Sequence, residues 1–178
     1  MRRSKSVLGT ILFLIAAPGV VAGLIPFLIT RWTLGPALFD VAPLRWLGVV
    51  LIVPGLGLLL DAFARFAWEG RGTPAPIAPT ETLVASGPYR YVRNPMYVAV
   101  IELILGQALV FGSIALLAYG VAAWIAMHLF VVFYEEPRME ADHPDYAAYR
   151  AGVPRWWPRL TPWTGGQGHG KVAAAPSE

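Results

Sequence analysis

Four nearly uninterrupted apolar runs leave this chain few ways to fold. They are about Val7 to Ile29, Leu44 to Phe66, Pro95 to Phe111 and Ser113 to Tyr134. A helix that crosses a bilayer needs roughly 20 apolar residues, within a range of about 17–25. All four runs qualify, the third marginally. Hydrocarbon offers no partner to a backbone N–H or C=O, so each run must satisfy its own backbone as a helix. Composition agrees: 56% of the 178 residues are hydrophobic and only 14% charged, where a soluble domain carries about 25%. The expectation is an all-α integral membrane protein with about four transmembrane helices. Gly112-Ser113 is too short for anything but a turn, so the last two runs read as a helical hairpin.

Arg2, Arg3 and Lys5 precede the first run as they would in a signal peptide. That run is longer than the usual core of about 7–15 residues, and no convincing cleavage site follows. It reads as a retained helix with Pro18 and Pro26 as points of kinking. Twelve of the fourteen lysines and arginines fall at the N-terminus, in the second loop or in the C-terminal segment; Arg31 and Arg45 are the other two. The positive-inside rule then places both termini and the second loop in the cytoplasm, a bacterial inner membrane being the expected location. Residues 1–163 read as one membrane-embedded domain with a cytoplasmic interfacial C-terminal segment, and 164–178 as a disordered tail. The second loop, about Ala67 to Asn94, is rich in Pro and Gly and reads as irregular, with an ordered lid near Tyr89. No cysteine is present, which excludes disulfides and thiolate chemistry. His128, His143 and His169 share no ligand-like spacing, so no metal is expected. The net charge of +3 reads as arginines facing an anionic leaflet, and nucleic acid is not expected as a partner.

Two clusters set charge and aromatic rings against the ends of apolar runs. One is Gly87-Pro88-Tyr89-Arg90-Tyr91-Val92-Arg93-Asn94-Pro95-Met96-Tyr97, the other Tyr134-Glu135-Glu136-Pro137-Arg138. A hairpin brings both to one side of the bilayer. Pro95 suits the first position of a helix and Asn94 its N-cap. Such an end offers free N–H groups and a positive dipole to an anion, and Arg93 beside it can pair with a carboxylate. The same arginines suit lipid phosphates, and the tyrosines an interfacial belt; the residues leave both readings open. Pro137 leaves the Phe133 carbonyl without its helical donor, which opens the helix there. Adjacent helical residues point about 100° apart, so one of Glu135 and Glu136 faces the interior, and Arg138 is in local reach of the pair. Glu102 is a charge deep within the third run, functional by default or else a buried bridge to His128. Tyr146, Tyr149, Trp156 and Trp157 recur beyond the last run, as in an amphipathic segment lying along the membrane. Glu102 and Trp156 are candidate substrate contacts. No Gly-x-Gly-x-x-Gly after a strand, P-loop or Ser-His-Asp set is present.

Taken together, the clusters resemble the integral-membrane methyltransferases that include isoprenylcysteine carboxyl methyltransferase and bacterial phospholipid methyltransferases. The resemblance rests on Gly87-Pro88-Tyr89, Arg93-Asn94-Pro95-Met96-Tyr97, Glu135-Glu136 and Tyr146-x-x-Tyr149, with Gly72-Thr73-Pro74-Ala75-Pro76 and Leu83-Val84 upstream. It covers about Gly70 to Pro158. Asn94 stands where the family often has His, and Asn does not titrate near neutral pH. The resemblance implies S-adenosyl-L-methionine as cofactor. Its binding residues would be Gly87, Tyr89, Arg93, Asn94, Pro95, Tyr97, Glu135, Glu136 and Tyr149, with Arg93, Asn94 and Glu136 also in the catalytic set. The acceptor would be an apolar or amphipathic molecule entering from the bilayer. A reductase of the sterol-reductase type, using NADPH, and a non-catalytic membrane protein are the alternatives.

Overall fold

The computed structural model describes residues 12–68 and 83–165. Residues 7–11 of the first run, most of the second loop and the tail from 166 onward lie outside the described residues. Among the described residues four long helices carry the fold: α1 Leu12–Thr30, α2 Leu44–Trp68, α3 Pro95–Phe111 and α4 Ile114–Asp142, followed by a short α5, Tyr146–Gly152. The described residues contain no strand. α1, α2 and α4 are long and apolar enough to cross a bilayer, while α3, at 17 residues, is shorter. The protein is an all-α membrane protein.

The ends of α3 are written locally. Asn94 has an extended φ of −119° and Pro95 takes the first helical position. At the other end Gly112 adopts φ +68°, and its N–H bonds the Ala108 carbonyl. Only glycine does this without strain, and a side chain here would also strike the Pro36 carbonyl. Ser113 then caps α4, its hydroxyl accepting from the Leu116 N–H at 3.1 Å. The turn is two residues long and α3 and α4 lie antiparallel, as the hairpin reading requires.

α3 is the centre of the bundle. α2 crosses it where Gly48 meets Gly106: a Cβ on Gly106 would lie 2.7 Å from the Gly48 carbonyl oxygen and 2.7 Å from Ile52 Cγ1. In a membrane, such close approach of backbones supplies the dispersion that hydrophobicity cannot. Ile104 of α3 and Leu116 of α4 are fully buried between the helices, with Ala99 and Ala108 also in this core.

Two prolines widen their helices rather than simply kinking them. Pro26 cannot donate to Ala22, and the turn before it, Val20–Leu24, is a π-helix in which the Ile25 N–H bonds Val20. The carbonyls of Val21 and Ala22 are therefore left without their usual donors. Tyr119 of α4 donates its hydroxyl to the Val21 carbonyl at 2.9 Å, and Gln107 of α3 donates Nε2 to Ala22 at 2.8 Å. Two polar side chains in apolar runs thus dock α1 onto the hairpin. Pro137 produces the same pattern in α4: Val131–Glu135 is π-helical, and the Glu136 N–H bonds Val131. The helix continues past the apolar run's end at Tyr134 to Asp142, with Glu135 and Glu136 re-aimed by the wide turn.

Candidate functional site

A pocket of about 200 Å³ opens where the start of α3 meets the last turns of α4. Its apolar wall comes from all four long helices, including Phe13 and Val21 of α1, Phe63 of α2, Val100 of α3 and Val131 of α4. Its polar wall holds Arg93, Asn94, Tyr97, Glu135, Glu136 and Tyr146.

Arg93 enters this wall because its backbone is pinned. Its N–H bonds the Pro154 carbonyl at 2.9 Å, the first link between residues 90–94 and a C-terminal strap. The strap continues with Arg159 N–H to Tyr91 carbonyl at 3.0 Å and Trp163 N–H to Arg90 carbonyl at 2.9 Å. The Arg93 side chain is 7% exposed. Its Nη1 lies 3.0 Å from Glu136 Oε1 and donates to the Tyr146 hydroxyl at 3.1 Å. Its Nε is buried and has no hydrogen-bond partner among the described residues.

The two glutamates have different surroundings. Glu135 accepts from the Tyr97 hydroxyl at 3.0 Å. Glu136 is 5% exposed and lies between Arg93 and Arg155, which donates Nε to Oε1 at 2.6 Å and Nη2 to Oε2 at 2.8 Å. Arg138 turns away from both and bonds Tyr134 at 2.9 Å and Asp142 at 3.4 Å. The local reach expected for it is therefore used elsewhere.

Asn94 occupies the N-cap position, but its side chain does not cap α3. It donates Nδ2 to the Arg155 carbonyl at 3.2 Å, which ties the start of α3 to the strap. Tyr146 and Tyr149 turn inward, 5% and 2% exposed, against Met139, Leu83 and Trp163. The Tyr149 hydroxyl donates to the Tyr89 carbonyl at 2.7 Å, which ties α5 to the turn before α3. Trp157 and Leu160 remain exposed. Burial pushes the phenols of Tyr89, Tyr146 and Tyr149 above their ordinary value.

Of the residues expected at the site, Tyr89, Arg93, Asn94, Pro95, Tyr97, Glu135, Glu136 and Tyr149 line the pocket. Gly87 stands behind it at φ +51°, where a side chain would run into the Arg65 guanidinium. Trp156 stacks edge-on behind Tyr97 at 6.5 Å and donates Nε1 to His128 Nδ1 at 3.0 Å. Glu102 does not line the pocket and does not meet His128. Its carboxylate faces α2 at Gly55, while the His128 ring is held by Trp156 and stacks on Trp124. Sequence reasoning missed Arg155, Tyr146 as a partner of Arg93, and the pocket walls from α1 and α2. Only the second tyrosine of the spaced pair had been assigned to the site; nothing in the apolar pattern of α1 or α2 marks Phe13, Val21 or Phe63. Among the described residues no cluster of three or more His, Asp or Glu forms a metal site.

An all-helical membrane protein with buried arginine, paired carboxylates and tyrosines at one helical end is the class that fold and site define. The family model described as phospholipid methyltransferase matches residues 44–145, more than half of the chain, and the chain belongs to that family of membrane methyltransferases. It is also 34% identical over 84 residues to the cobalt-zinc-cadmium resistance protein CzcN of Cupriavidus metallidurans, a match that takes in 47% of this chain and 39% of that protein. The chain therefore spans well under two thirds of the length of that relative.

Proposed function

We propose that this protein transfers a methyl group from S-adenosylmethionine to an apolar or amphipathic acceptor dissolved in the membrane, at the cytoplasmic face. The observation that carries the reading is the buried, unpartnered Nε of Arg93 on the polar wall of a pocket that is otherwise apolar. A buried donor left bare is costly unless a ligand completes it. A carboxylate does so in a two-pronged, charge-assisted contact, and the free N–H groups at the start of α3 favour the same anion. Glu135, unopposed by arginine, suits an ammonium or ribose hydroxyls. Tyr97, beside it, offers an aromatic face to a sulfonium, an attraction of about 0.5–2 kcal/mol.

When bound, S-adenosylmethionine would supply a methyl on a sulfonium, activated for transfer to an acceptor lone pair, with the C–S bonding electrons remaining on sulfur. The chain's own part is positioning. Arg93 and the α3 N-terminus would hold the carboxylate, and Glu135 with Tyr97 the ammonium or ribose hydroxyls. The apolar wall of Phe63, Val100 and Val131 excludes water and receives an apolar acceptor. The absence of a titrating side chain at Asn94 fits an acceptor that needs no proton removed in the transfer.

The reductase alternative requires several cations for the phosphates of NADPH; of the two arginines that line the pocket, Arg138 is engaged with Tyr134 and Asp142, and Arg93 alone has a donor left for an anion. Calorimetry on the full chain in lipid nanodiscs decides between them. S-adenosylmethionine should bind and NADPH should not. Binding of NADPH alone, or of neither, overturns the methyltransferase reading.

A further inference from the structure

The charge cluster behind Arg93 has more members than holding a cofactor requires. Glu136 sits between two guanidiniums with its side chain 6% exposed. Arg93 reaches only Oε1, through Nη1 at 3.0 Å. Arg155 takes both oxygens, at 2.6 and 2.8 Å. Arg155 belongs to the strap, beyond the residues that the family model matches. Its neighbours anchor it on both sides: the Pro154 carbonyl accepts from the Arg93 N–H, its own carbonyl accepts from Asn94, and Trp156 bonds His128.

We infer that Arg155 and Glu136 are positioning residues that keep Arg93 open to the cofactor's carboxylate. A carboxylate beside an arginine adopts a two-pronged grip where both its oxygens are free. Glu136 is the anion next to Arg93, and the bare Nε of Arg93 would draw it in, because a buried donor without a partner is destabilising. Arg155 prevents this by occupying both oxygens. Arg93 keeps its place through Nη1, shared between Glu136 and Tyr146, and its Nε remains for a carboxylate from outside. Glu136 then does not touch the cofactor; Glu135 does. The inference rests on the assignment of the pocket to S-adenosylmethionine and names which chain residues prepare it.

The test uses the full chain in nanodiscs, with S-adenosylmethionine and its decarboxylated analogue as probes. Arg155→Ala frees Glu136 to close on Arg93. Affinity for S-adenosylmethionine should fall roughly 10-fold, while affinity for the decarboxylated analogue should not change. Adding Glu136→Gln to Arg155→Ala should recover most of the loss, because a neutral amide competes weakly for a guanidinium. Arg155→Lys, which keeps the charge but engages one oxygen at a time, should show a smaller loss of the same kind. Wild-type affinity in Arg155→Ala overturns the inference. So does a double variant weaker than Arg155→Ala, which would make Glu136 a direct ligand. An equal loss for both probes, with a lowered Tm, overturns it too, because a strap of purely structural role behaves that way. Failure of the wild-type chain to bind S-adenosylmethionine at all is a separate result and strikes the functional assignment itself.

Discussion

Replacing Arg93 by lysine should separate the charge of this residue from its shape. In the structure Nη1 serves Glu136 at 3.0 Å and Tyr146 at 3.1 Å, and Nε is reserved. Lysine keeps the positive charge, so Glu136 is not left unopposed, and Arg155 still holds both of its oxygens. Folding should therefore suffer little. Lysine has no planar fork, however, and its ammonium drawn to Glu136 leaves nothing aimed at a carboxylate ligand. The loss is one charge-assisted contact, about 1.5–3 kcal/mol, or roughly 10- to 150-fold in affinity. Arg93→Ala should lose as much affinity and some stability besides. That stability loss should stay below the roughly 3–5 kcal/mol of a broken buried ion pair, because Arg155 continues to neutralise Glu136. Calorimetric titration with S-adenosylmethionine and thermal unfolding in detergent, run on both variants, read the two effects separately. If the lysine variant binds within about threefold of wild type while alanine does not, a point charge suffices. The two-pronged contact is then wrong, and a lipid phosphate becomes the better partner for Arg93.

Gly106→Ala should lower thermal stability by about 1–3 kcal/mol, since its Cβ would press on the Gly48 carbonyl and Ile52. Gly57→Ala, with nothing near its Cβ, should be neutral or stabilising; equal effects at the two sites would refute the close crossing of α2 and α3. Tyr119→Phe and Gln107→Leu should each cost about 1–3 kcal/mol in detergent unfolding by stranding a carbonyl of the α1 π-turn, and wild-type stability in both would contradict that role. Burial raises the phenols of Tyr89, Tyr146 and Tyr149. The folded state thus holds protons that the unfolded chain releases above about pH 10, so stability is full below that pH and falls as pH rises beyond it. Ultraviolet titration should show these three tyrosines ionising only with unfolding; early ionisation in the folded protein would count against their burial. Reporters fused at Glu178 and near Asp40 should locate the C-terminus inside and the first loop outside. An external C-terminus would reverse the topology.

The apolar runs by themselves determined that the chain is helical and membrane-embedded, because a bilayer permits no other backbone for them. Pro95 and Gly112 marked the ends of α3 by local stereochemistry, and Pro137 marked where α4 must open. The order of Arg93, Tyr97 and the Glu135-Glu136 pair placed a polar site at one end of the hairpin for the same local reasons. Which glutamate binds which arginine was not legible. That choice depends on how far the π-turn rotates α4 and on Arg155, a residue about 20 positions further along the chain whose approach is set by the strap's bonds to residues 90–94. Glu102 faces α2 at Gly55 and His128 meets Trp156; the hairpin register, in which Gly120 packs on Ile104 and Leu105, sets the two at different depths, so the bridge the sequence allowed cannot form. Gln107 and Tyr119 interrupt apolar runs without any local mark of a role. Their meaning lies in two carbonyls of another helix, and a distant acceptor leaves no periodic mark in the segment that satisfies it. Local stereochemistry and solvent set the elements; the partners of each buried polar group came only from the packing that brought distant segments together.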